Sequence, residues 1–98
     1  MKPLEVFHID DSRPPVVVLQ YPGIGTGDFL LAAPLYSVGA AKPIDIITPE
    51  VNLSGRTYLL GTHLMAAIST RHLTQSLGDV LKNEYQIQRA LQRLFFGN

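Results

Sequence analysis

The sequence predicts a mainly β domain (β+α), a small barrel or sheet closed by one C-terminal α-helix. Three observations carry that prediction. Short runs rich in Val, Ile, Leu and Phe recur through the first two thirds, each stopped by Pro, Gly, Asp or Ser. After Ser76 the apolar residues recur at separations of three, four and seven, the stripe of a helix. The length of 98 residues suits a single domain spanning 1–98, because two independent cores would be too small to persist.

Leu4 to Ile9 alternates between two faces and stops at Asp10-Asp11-Ser12-Arg13-Pro14-Pro15, so it reads as the first strand. Val16 to Leu19 is short and mostly β-branched, the pattern of a buried strand. The loop Pro22-Gly23-Ile24-Gly25-Thr26-Gly27-Asp28 follows. Phe29 to Tyr36 is a third strand, and Pro34 within it points to an edge or a bulge. Gly39 to Pro43 breaks the chain before a fourth apolar run, Ile44 to Ile47. Val51–Leu53 and Arg56–Leu60 flank Ser54-Gly55, the spacing of a two-residue hairpin. From Ser76 the helical stripe collects Leu77, Val80, Leu81, Ile87, Leu91, Leu94 and Phe95, with its firmest part at Asn83–Phe95. Ser76 and Asp79 have the spacing of an N-terminal capping signal. Gly97 is placed to end the helix in the left-handed conformation, and Arg89 and Arg93 suit its C-terminal dipole.

The composition is 46% hydrophobic and 16% charged, against roughly 25% charged in typical soluble domains. So much apolar surface calls for a subunit interface, and a homo-oligomer is expected. Eight basic residues balance eight acidic ones, which argues against a protein that coats nucleic acid directly. The chain has no cysteine, which removes disulfides, thiolate zinc sites and a cysteine nucleophile. Glu5 and Asp10-Asp11 interrupt the N-terminal region, unlike a signal peptide, and no apolar run reaches membrane-spanning length. A cytoplasmic protein is expected, with no membrane, cofactor or metal requirement.

Two motifs fail their chemical test. Gly23-Ile24-Gly25-Thr26-Gly27 lacks the lysine of a phosphate loop and is followed by Asp28, which repels phosphate. His8, His63 and His72 have no metal-ligand spacing. Arg56, His63, Arg71 and His72 supply the residue types for acid–base cleavage of RNA, if they converge. The terminal Leu94-Phe95-Phe96-Gly97-Asn98 stands apart, because chain ends are usually polar. Phe95 fits the buried stripe, whereas Phe96 lies roughly 100° further round the helix and is a candidate anchor for a partner.

At this terminus the chain resembles the CcdB family of plasmid toxin–antitoxin pairs, whose members end Phe-Trp-Gly-Ile where this one ends Phe95-Phe96-Gly97-Asn98. The resemblance runs back through Glu84, Ile87 and Ala90, Asp79, Met65-Ala66, Thr62, Thr57-Tyr58 and Val51-Asn52-Leu53. Gly27 to Leu35 looks like the family's glycine-to-Pro-Leu strand, with a short deletion between Tyr36 and Ile44. The resemblance implies a homodimer of SH3-like β-barrels, each with one C-terminal helix. It implies a toxin that poisons DNA gyrase by binding the A subunits and trapping cleaved DNA, and a CcdA-like antitoxin that removes it. No covalent chemistry would belong to the toxin, so it is not expected to be an enzyme. The gyrase-binding role falls on Phe96, Gly97 and Asn98, with Phe95 matching the family's phenylalanine and Ile24 near an apolar residue of the partner-facing loop. Phenylalanine in place of tryptophan is worth about 1 kcal/mol less over a guanidinium at a desolvated contact. The alternatives are a ribonuclease toxin of the MazF/Kid type, built on Arg56, His63, Arg71 and His72, and an inactive relative that only binds antitoxin.

Overall fold

The computed structural model describes all 98 residues. Seven strands form one curled antiparallel sheet: β1 (Glu5–His8), β2 (Val16–Val18), β3 (Phe29–Ser37), β4 (Glu50–Leu53), β5 (Arg56–Leu60), β6 (Ala66–Ser69) and β7 (Gln75–Asp79). One helix, α1 (Glu84–Phe96), follows. The strand order is β4-β5-β3-β2-β1-β7, with β6 also paired to β3. The sheet curls as a half-barrel, and the mainly β architecture with one C-terminal helix is the one expected.

The long strand β3 organises the sheet. It pairs with β2 through Ala32–Pro34, with β6 through Phe29–Ala32, and with β5 through Leu35–Ser37. β5 and β6 lie end to end against β3, interrupted by the 3-10 turn Thr62–Leu64. Pro34 therefore lies in an interior strand, not at an edge, the first of the two placements its residue type suggests. It is tolerated because the neighbouring strand line breaks opposite it, where the missing N–H has no ladder partner to serve. Its carbonyl still accepts the Gly61 N–H at 2.9 Å.

The β4–β5 hairpin forms as expected, with Leu53 opposite Arg56. Ser54 and Gly55 both have positive φ (52° and 80°), the backbone of a type I′ turn that matches strand twist.

Alternation splits the apolar residues into two clusters on opposite faces of the sheet. Val6, Val17, Ala33 and Leu35 join Val51, Leu53, Leu60, Val80 and Ile87 of α1 in the main core. Phe7, Val16, Val18, Ala32 and Leu73 pack together on the other face. This is why all three residues of β2 are buried.

Three further expectations need correction. Ile44–Ile47 is a turn, not a strand: Asp45 has φ 49°, the Ile47 N–H reaches the Ile44 carbonyl at 3.2 Å, and Thr48 Oγ1 accepts the Ile44 N–H at 2.8 Å. The helical stripe does not begin at Ser76, because Gln75–Asp79 is strand β7, paired with β1, and Leu81–Asn83 is a 3-10 turn. Ser76 and Asp79 accordingly do not cap α1; the Asp79 carboxylate accepts the Leu81 N–H at 3.0 Å, where the 3-10 turn begins. Strand β6 was not expected either, since Ala66-Ala67-Ile68-Ser69 has weak strand preference and forms only because β3 offers it an edge.

Candidate partner-binding site

Helix α1 is held at its start and along one face, and projects at its end. At the start, buried Asn83 does not cap the helix; its Oδ1 accepts the Asn52 N–H at 3.0 Å and ties α1 to β4. Ile87 and Ala90 are buried, and Leu91 and Leu94 half-buried. Beyond them the helix end is exposed. Phe95 is 60% exposed and Phe96 76%. For Phe96 that is the exposure expected from its place on the helix. For Phe95 it is a correction, because the residue continues the buried stripe but lines an open groove instead of the closed core.

The chain end is shaped by hydrogen bonds. Gly97 is left-handed (φ 74°) and donates its N–H to the Arg93 carbonyl at 3.0 Å, the expected glycine stop. The Arg93 guanidinium turns back, with Nη1 donating to the Gly97 carbonyl at 3.0 Å. Its Nη2 lies 3.0 Å from Asp45 Oδ2, 48 residues away in sequence. The Asp45 carboxyl is held below its ordinary value, first by the Ile46 N–H and then by Arg93.

Ile24 is also exposed, at 57%, on the loop between β2 and β3. Gln20 braces that loop. Its Nε2 donates to the Ile24 carbonyl at 2.9 Å and to Thr26 Oγ1 at 2.8 Å, while Thr26 Oγ1 donates to the Phe29 carbonyl at 2.8 Å. Phe95 meets this region in a shared apolar groove of about 370 Å³, lined with Leu19, Gln20, Thr26, Leu31, Met65 and Leu91. The structure thus brings Phe95 beside the Ile24 loop, whereas Phe96, Gly97 and Asn98 stand clear as an exposed tip. Leu31 of β3 and Met65, which follows the 3-10 turn Thr62–Leu64, had no separate signal in the sequence, because apolar residues read as core.

Chemically, this surface offers two phenyl rings, aliphatic side chains, an arginine and a terminal amide. Such groups stack, bury apolar area and donate hydrogen bonds. They do not supply a nucleophile with an adjacent base.

The four residues proposed for RNA cleavage are not brought into one cavity. Arg56 opens β5, His63 sits in the 3-10 turn Thr62–Leu64, and Arg71 and His72 lie in the 3-10 turn Thr70–His72. His63 lines a cavity with Tyr36, Lys42 and Ile44, and Arg71 a different one with Asp28, Phe29 and Thr70. His8 pairs with Asp11 at 3.3 Å. No helix is long and apolar enough to cross a membrane.

No curated protein matches the chain. A family comparison does: residues 5–97 match the family described as CcdB protein, a span that takes in the Ile24 loop, every strand, the whole helix and Gly97. With that extent of match joined to the curled sheet and single C-terminal helix, the chain belongs to the CcdB family.

Proposed function

We propose that this protein is the toxin of a toxin–antitoxin pair and that it poisons DNA gyrase, using Phe96, Gly97 and Asn98 to hold the enzyme's A subunit in its DNA-cleaved state. Family membership supports the toxin half of this reading. One observation carries the rest: the aromatic end of α1 is exposed, although the opposite face of the same helix is locked into the core. An exposed Phe96 beside a fixed backbone is a hot-spot arrangement, since little conformational entropy remains to be lost on binding.

The apolar groove of Leu19, Leu31, Met65, Leu91 and Phe95 supports a homodimer, which would present two tips together. A CcdA-like antitoxin is the second expected partner. In this reading the protein performs no bond chemistry; the cleavage belongs to gyrase, and the tip stabilises one of its states.

The test uses purified protein, gyrase and supercoiled DNA, scored for trapped double-strand breaks. Deleting Phe96-Gly97-Asn98 is expected to abolish trapping while the truncated chain stays folded. Full-length protein that traps no breaks at micromolar concentration refutes the proposal. RNA degradation lost in a His72→Ala variant would favour the ribonuclease reading instead.

A further inference from the structure

We infer that Asp45 is a positioning residue for the C-terminal tip, acting through the Arg93 guanidinium to hold the Gly97 carbonyl and so aim Phe96 and Asn98. The inference rests on the reading of that tip as the gyrase-contacting element.

Gly97 is bonded twice to one residue: its N–H to the Arg93 carbonyl and its carbonyl to Arg93 Nη1, each at 3.0 Å. The first bond belongs to the helix backbone, so the Gly97 carbonyl beyond it is held by the Arg93 side chain. An exposed arginine has many rotamers, and fixing one is entropically costly. Asp45 fixes it by taking Nη2 at 3.0 Å while Nη1 faces Gly97, so the rigid fork is spanned between two acceptors.

Asp45 is itself anchored. It adopts φ 49°, a left-handed conformation that aspartate tolerates better than most residues, and its Oδ1 accepts the Ile46 N–H. The turn that carries it is closed by the Ile44–Ile47 and Ile44–Thr48 hydrogen bonds. Buried Thr62 then binds the Ile47 carbonyl through its hydroxyl. A continuous path thus runs from the core at Thr62, through the 44–48 turn, to Asp45, Arg93 and Gly97. No other polar contact from outside α1 reaches the tip through Arg93.

The test compares the full-length protein with Asp45→Asn, which tolerates the same backbone but removes the charge. Amide ¹⁵N relaxation of Gly97 and Asn98 is expected to show a loosened tip, and gyrase trapping to weaken about two- to fivefold, the range of an exposed ion pair. The melting temperature is expected to stay within about 2 °C, because surface changes of this kind leave stability nearly unaltered. The exchange D45R/R93D restores an ion pair between turn and helix but removes the donor to Gly97. A mere staple would be rescued by it; a positioning residue would not, so the tip is expected to stay loose and trapping to stay weak. Unchanged relaxation of Gly97 and Asn98 in Asp45→Asn overturns the inference, and so does recovery of tip order in the exchange variant. The relaxation result is independent of gyrase. If the unaltered protein traps no DNA, the proposed function fails while relaxation still decides the role of Asp45.

Discussion

Replacing Phe96 with alanine separates folding from function. Phe96 is 76% exposed, so the folded chain gains little from it, and the change should shift stability by no more than ~0.5 kcal/mol. For a domain of this size that corresponds to about 2–4 °C in melting temperature. Binding is a different matter. A phenylalanine can bury 150–250 Å², so a partner that covers the exposed three quarters removes roughly 110–190 Å² from water. At ~25 cal/mol per Å² the ceiling is about 3–5 kcal/mol. Alanine keeps its methyl group and desolvation is incomplete, so the expected loss is ~2–3 kcal/mol, or about 30- to 150-fold in affinity. Gyrase trapping titrated against toxin concentration measures the second effect, and thermal unfolding the first. Ile87→Ala is the contrasting control: it empties a buried site and should cost about 2–5 kcal/mol of stability. The reasoning is refuted if Phe96→Ala keeps its potency within threefold, or if it melts as early as Ile87→Ala.

Phe96→Trp should strengthen trapping about fivefold if the ring meets a guanidinium, since indole is worth about 1 kcal/mol more there; an unchanged titration removes that contact. Asn83→Ala should cost about 1–2 kcal/mol and lower the melting temperature by roughly 5–10 °C, because the amide oxygen that satisfies the Asn52 N–H is lost from a site 8% exposed. The Asp45 carboxyl lies below its ordinary value of 3.8, so its tether is fully present above that value and is lost as the pH falls through the lowered one. An NMR titration of the Gly97 amide should show that acid-side loss in the parent protein and not in Asp45→Asn.

Much of the fold was legible because it depends on local rules. The Ser54-Gly55 pair specified a type I′ turn, since both positions need positive φ. Ile87, Leu91 and Leu94 specified a helix face, and Gly97 its stop. Errors arose where a short pattern had two readings. Leu77, Val80 and Leu81 can extend a helical stripe, yet Leu77 belongs to an edge strand made by pairing with β1. Ile44 to Ile47 has strand composition, but the hydrogen bonds of Ile44 with Ile47 and Thr48 curl it into a turn.

At the candidate site, the type and order of residues were available from the linear chain: a terminal aromatic pair, a glycine stop and an apolar loop residue at Ile24. Their exposure was not, because burial depends on what lies opposite. Phe95 has the spacing of a core residue and remains 60% exposed, since the apolar residues it meets form an open groove and not a closed core. The link from Asp45 to Arg93 likewise joins groups 48 residues apart, with no periodicity to announce it. Local backbone preference and apolar spacing are properties of neighbouring residues, so the sequence alone determined the strands' punctuation, the hairpin and the helix. Which strand is central, which phenylalanine is covered and which carboxylate meets the arginine depend on distant segments arriving at one place, and only the tertiary structure decided them.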